Sequence, residues 1–248
     1  EPYRRQRQMC IRDSLRGPQL KMTHLHMNGL VKPTTDMINF LLANDKHFHP
    51  NSKWADKTVN VDEICSSELM AGFPGLKDNH VSTIPIFLSS MVDQNITPPY
   101  LDITESYGVP ADVCPLPSAE AGVAINDDYP IVGKCSVTCN MPCDGSVMNS
   151  AYIDRRFDIP THVINVPLRY NEEEAQEYAV EEVKECIKFI EREMNTKFNW
   201  DAFFAAMKNY NKQLDYEVQK WDVNKTDYPQ MTGATFWLYR LFLSLIHI

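Results

Sequence analysis

Apolar residues recur along this chain in two periods, and the change from one to the other marks its elements. In "KTVNVDEICSSELMAGFPG", Val59 and Val61 alternate with polar neighbours. That predicts a strand, a turn, and a helix starting near Glu68 with Ser66 or Ser67 as its cap. "VSTIPIFLSS" predicts a second buried strand, with Pro85 keeping it from a central position. "ITPPYLDITESYGVP" is a loop followed by a short helix. "YPIVGKCSVTCN" predicts a third strand, bounded by Pro130, and "THVINVP" a fourth. Between them, "CDGSVMNSAYIDRRFDIP" predicts a turn and a helix capped by Asp144 or Ser146.

The period then lengthens. "NEEEAQEYAVEEVKECIKFIEREM" places Ala175, Ala179, Val183, Cys186, Ile187, Ile190 and Met194 on one helical face. Asn171 is its expected cap, with Glu174 completing a capping box. Glu172 to Glu174 suit the positive end of the helix dipole. "NWDAFFAAMKNYNKQLDYEV" is a second long helix, capped by Asn199, and "TGATFWLYRLF" is the start of a third. Upstream, "TTDMINFLLAND" predicts a short helix, with Thr34 or Thr35 as cap and Met37, Phe40 and Leu41 on its apolar face. No internal repeat is present. Strands alternating with helices predict an α/β fold, a Rossmann-like layer whose sheet is mostly parallel and flanked by helices. In such sheets the loops at the carboxyl ends of strands carry function.

Composition narrows the classes. The chain has 248 residues, 44% of them hydrophobic and 23% charged, an ordinary globular balance that can bury a core. The net charge of -9 speaks against a nucleic-acid partner. The longest apolar runs, "IPIFL" and "FWLY", are too short to cross a bilayer. The ends, "RQRQMCIRDS" and "LSLIHI", resemble translated sequencing adapter, so residues 1–14 and 243–248 are set aside from fold reasoning. Cys10 and the basic Arg4, Arg5 and Arg7 go with them, and the chain is expected to be a fragment. The remaining organisation is a helical segment over 15–57, an α/β domain over 58–170 and a helical segment over 171–242.

Six cysteines remain: Cys65, Cys114, Cys135, Cys139, Cys143 and Cys186. With no secretory signal visible, the expected setting is the cytoplasm, where thiols are reduced, metal-bound or catalytic rather than paired. The spacing C-x3-C-x3-C over Cys135, Cys139 and Cys143 matches neither a zinc ribbon nor a radical-SAM loop. On a strand, Cys135, Val137 and Cys139 share a face. Cys65 and Cys186 suit a packed core, Cys186 because it lies on the apolar face of the acidic helix. Cys143 lies beyond the strand, just before a helix start, where backbone N–H groups favour a thiolate. Cys114 sits in a similar loop, before Pro115. Two loop thiolates facing each other across strand ends make half of an iron–sulfur site. The histidines His24, His26, His47, His49 and His80 fit surface positions, and "HFHP" is thin evidence for a metal.

The combination "VCPLPSAEAGVAINDDYPIVGKCSVTCNMPCDGS", "RRFDIPTHVINVP", the Glu-rich helix and "FNWDAFFAAMKNYNK" resembles the 2-hydroxyacyl-CoA dehydratase and benzoyl-CoA reductase family over residues 58–215, most strongly over 108–200. The resemblance implies a large subunit holding a 4Fe–4S cluster on three cysteines. Cys114 matches the first ligand and Cys143 the second, and the third belongs to a second α/β domain absent from this chain. Cys135 and Cys139 depart from the commonest pattern. They are core residues or ligands of a larger, double-cubane cluster. The implied reaction is loss of water from an acyl-CoA substrate through a ketyl radical. A separate ATP-dependent iron–sulfur activator protein delivers one electron, and a second dehydratase subunit completes the enzyme. The chain carries no G-x-x-x-x-G-K-[ST] motif, so ATP handling falls to that activator. Glu68 in "SSELMAG" matches a glutamate-bearing helix start and is the candidate catalytic base, although a first-turn glutamate is also ordinary helix chemistry. The rivals are a benzoyl-CoA-reductase-like or double-cubane reductase, a non-catalytic partner subunit, and a zinc-binding structural domain.

Overall fold

The computed structural model describes residues 55–61, 67–80, 97–128, 133–141, 144–169, 171–225 and 227. A short 3-10 turn at Ala55–Lys57 leads into β1 (Thr58–Val61), α1 (Ser67–Met70) and β2 (Lys77–His80). Then come α2 (Thr97–Ser106), α3 (Pro115–Ile125), β3 (Cys135–Cys139) and α4 (Gly145–Phe157). The described chain closes with β4 (Thr161–Ile164), α5 (Glu173–Met194) and α6 (Trp200–Asn224). The four strands form one sheet in the order β2-β1-β3-β4, and every pairing is parallel. The expected α/β class with a parallel sheet is therefore the observed one.

Every residue of β1 and β3 is buried. A parallel sheet covered by helices on both faces requires that, because neither face meets water. The face under α5 is hydrocarbon. Val59, Val61, Cys135, Val137 and Cys139 meet Cys186, Ile187, Phe189, Ile190 and Met194, with Leu69 and Met70 of α1 joining them. The opposite face is polar: Thr58, Asn60, Ser136 and Thr138 are all buried there. It lies under α4, which packs on β3 and β4, with α3 alongside α4 and α2 alongside α3.

Two glycines allow these close approaches. A Cβ on Gly122 of α3 would run into the Tyr100 carbonyl oxygen and the Thr104 hydroxyl of α2. A Cβ on Gly133 would sit 2.7 Å from both Asn60 N and Thr58 O of β1. Instead the Gly133 N–H donates to Asn60 Oδ1 at 2.9 Å, and the chain enters β3 flush against β1.

Some elements differ from expectation. β2 is the polar run Lys77–His80, whose ladder with β1 supplies what its side chains lack. α3 is an element that the hydrophobic period does not predict. Pro115 and Pro117 sit in its first turn, where a missing N–H costs nothing. α5 begins at Glu173 with Glu172 at its cap, and no side-chain capping bond is made. Asn171 is thus not the cap, because the extended backbone persists through Glu172 (φ -85, ψ 137). Phe189 joins the buried face of α5 beside the expected residues. Asp144 caps α4 by position, also without a side-chain bond. Asn199 caps α6 as expected, accepting from the Ala202 N–H at 2.9 Å. The helix over 34–45, the strand over 81–90 and the helix over 232–242 lie outside the described residues, as do Cys10, Cys65 and Cys143.

Candidate functional site

Strand order locates the crevice. From β1 the chain moves outward to β2 by way of α1, on the α5 face. It then returns to the other side of β1 as β3 and crosses to β4 by way of α4, on the opposite face. The direction of winding reverses between β1 and β3. In open parallel sheets the crevice at such a point, at the carboxyl ends of the strands, is where ligands bind.

α4 starts from the carboxyl end of β3 and runs back beside the sheet. α3 packs against it. Arg156, near the end of α4, pairs with Asp127, just past the end of α3, at 3.0 Å. The carboxyl ends of the two helices therefore meet. Cys114 is the N-cap residue of α3, its side chain makes no capping bond, and its thiol is exposed. Its carbonyl oxygen is engaged, accepting from the Ser118 hydroxyl at 2.9 Å. Cys143 immediately precedes Asp144 in sequence and lies outside the described residues. The expected meeting of these two sulfurs therefore stands as an expectation.

The loops at the sheet's carboxyl edge are braced. Asn140, just past β3, accepts from the Val166 N–H at 2.8 Å and donates through Nδ2 to the Val166 carbonyl at 3.2 Å. That clamps the β3–α4 loop to the segment after β4. Asn165 in turn donates through its backbone N–H and its side chain to Glu182 of α5, at 3.0 and 3.2 Å. The Asn165 backbone N–H, first among several partners, holds the Glu182 carboxyl below the usual glutamate range. None of these residues was singled out from sequence. The available signal was an asparagine directly after each of two strands. Behind the edge, Glu120 of α3 and Asn149 of α4 are buried in the polar layer. Asn149 Oδ1 has no hydrogen-bond partner among the described residues.

Cys135 and Cys139 occupy a different environment. Both are fully buried on the α5 face, in the same cluster as Cys186. Burial pushes the Cys135 thiol up to about 12, with Glu193 adding to the shift and Lys134 opposing it. Burial and then Cys135 itself push Cys186 up to about 12. Cys139 Sγ accepts from the Met141 N–H at 3.4 Å. The sharing of a face by Cys135, Val137 and Cys139 is as the strand period requires. The sheet separates them from the helix layer that carries Cys114.

Glu68 is in the first turn of α1, on the carboxyl side of β1, half-buried. Its carbonyl accepts from the Ala71 N–H at 3.2 Å. Among the described residues no group of three His, Cys, Asp or Glu side chains is arranged to hold a metal ion by itself. No described helix is long and apolar enough to cross a membrane.

A family model described as 2-hydroxyglutaryl-CoA dehydratase, D-component, matches residues 88–245. That range contains α2 to α6, Cys114 and Cys143, and leaves Glu68 outside. No curated protein matches the chain.

Proposed function

The chain belongs to the 2-hydroxyglutaryl-CoA dehydratase D-component family, and from that premise we propose that it is one large subunit of an enzyme that removes water from an (R)-2-hydroxyacyl-CoA to leave a 2-enoyl-CoA. The reading is supported by the family match over residues 88–245 together with the exposed Cys114 thiol at the head of α3. In this reading Cys114 and Cys143 are ligands of a 4Fe–4S cluster. When bound, the cluster supplies an iron of Lewis-acid character and a route for single electrons.

Cys114 suits that role by its exposure. Metal ligation needs a thiolate, and the buried Cys135 and Cys186 thiols hold their protons far above neutral pH. We assign Cys135, and Cys139 beside it, to the core. The amino ends of α3 and α4 favour negative charge, which suits both a thiolate-bound cluster and a thioester gaining an electron. Glu68, on the β1 side of the same edge, is the proposed base for the substrate's β-proton. The electron comes from an ATP-dependent iron–sulfur activator, and a second subunit completes the assembly.

The test is metal loading of the full chain under anaerobic reconstitution. Bound iron and sulfide are counted for the wild type and for Cys114→Ser, Cys143→Ser and Cys135→Ser. The expected result is loss of iron in the first two and retention in the third. Iron retained in Cys114→Ser overturns the assignment. A doubled iron count that falls in Cys135→Ser makes the protein a double-cubane reductase instead, and stoichiometric zinc without sulfide makes it a structural domain.

A further inference from the structure

β4 is the last strand of the described sheet, so the backbone groups on its outer side face no neighbouring strand there. Such groups need other partners. At the carboxyl end of β4 side chains supply them. The Asn165 N–H donates to Glu182 Oε2 of α5 at 3.0 Å. The Asn165 carboxamide donates to the same oxygen at 3.2 Å and to the Val163 carbonyl at 3.4 Å. Tyr178, one turn earlier on α5, hydrogen-bonds the same carboxylate. α5 is itself held in place, since Cys186, Ile187 and Ile190, just past Glu182, are buried in the core.

Asn165 stands between the two residues that hold Asn140. The Asn140 N–H donates to the Ile164 carbonyl at 3.3 Å, and the Asn140 side chain exchanges two bonds with Val166, at 2.8 and 3.2 Å. The end of β4 is therefore gripped from the β3 side at 164 and 166 and from the α5 side at 165. A shift at one grip moves the other, because adjacent residues share a rigid peptide plane. Asn140 and Met141 lead on to Cys143, three residues past Asn140 in the sequence.

We propose that Glu182 is a positioning residue: its carboxylate, acting through Asn165 and the residues on either side of it, fixes Asn140 and so the start of the loop that carries Cys143. The consequence at the metal rests on the reading of Cys143 as a cluster ligand; the grip itself does not. A carboxylate suits the task because one ionised oxygen takes both Asn165 N–H bonds, and bonds to an ionised acceptor are the strong ones. Glutamine keeps an acceptor oxygen of the same reach without the charge, and alanine keeps neither.

The test compares Glu182→Ala, Glu182→Gln and, as a control, Glu181→Gln, whose exposed carboxylate pairs with Lys184. Amide exchange of the full chain without metal is read first. Glu182→Ala is expected to speed exchange at least about tenfold at 165–166 and also at 140–141, with α3 unchanged. Glu182→Gln is expected to recover most of that protection, and Glu181→Gln to match the wild type. After anaerobic reconstitution, the electron paramagnetic resonance signal of the reduced cluster is expected to change shape in Glu182→Ala and to return in Glu182→Gln. Quickening confined to 165–166 overturns the proposal, as does quickening that extends to α3, no recovery in Glu182→Gln, or a cluster signal that Glu182→Ala leaves unaltered. A wild type that takes up no iron sinks the cluster reading instead, and the exchange at 140–141 then decides the positioning alone.

Discussion

Cys135, on β3 beneath α5, and Cys114, at the head of α3, are the same side chain in opposite surroundings. One is sealed in hydrocarbon with its thiol pushed up to about 12. The other is exposed at the head of α3. The sheet divides the molecule accordingly. Its α5 side is built from Val, Ile and Phe and exists to be stable. Its α4 side is lined with Thr, Asn and Ser, and the direction of winding reverses between β1 and β3. A cysteine's surroundings in this protein follow from which side of the sheet it lies on. The C-x3-C-x3-C spacing does not reveal this.

The comparison can be broken by paired substitutions. Cys135→Ser puts an unmatched hydroxyl in the core and is expected to cost about 2 kcal/mol in urea unfolding, whereas Cys114→Ser is expected to stay within about 0.5 kcal/mol. A larger cost at Cys114 than at Cys135 would show that the exposed thiol is structural.

The edge itself is tested by Asn140→Ala, which removes both bonds to Val166. The expected loss is about 1–2 kcal/mol. Amide exchange is expected to quicken in residues 140–141 and 165–166 and to stay unchanged in α5. Uniform quickening would mean that Asn140 supports the whole fold and not the loop.

The smallest effect is a pH dependence on the α4 side. Burial lifts the Asp154 carboxyl from 3.8 to about 6, with the Thr161 hydroxyl pulling the other way. The folded protein therefore binds this proton more tightly than the unfolded chain does. Stability contributed by the protonated group is present at acid pH, declines as pH rises from about 4 to about 6, and is flat above that. Asp154→Asn is expected to remove that slope and to raise stability at pH 8 by on the order of 1 kcal/mol, after allowance for partial exposure. An unchanged slope in a pH series of melting curves would place the titration elsewhere.

What could be read directly was local. Alternation in "TVNV" and "CSVTC", the 3.6-residue face ending in Cys186, Ile187, Ile190 and Met194, and the Asn199 cap are properties of neighbouring residues. They determined β1 and β3, the two long helices and the class of the fold. The polar strand Lys77–His80 has no such signature, because its stability comes from a parallel ladder to a strand sixteen or more residues upstream. α3 was hidden by its own prolines and small residues, which only make sense once α2 presses against Gly122.

The candidate site divides the same way. The residue types at 114, 143 and 68 could be named from the chain. That Cys114 is exposed at a helix head, that Cys135 and Cys139 point into hydrocarbon, and that Asn140 and Asn165 brace the rim depend on strand order and on which face each helix covers. Hydrophobic period is a short-range property that a sequence carries in plain form. The crossing from β2 back past β1 to β3 is settled by packing between residues far apart in the chain, and so only the tertiary structure decided where the crevice opens.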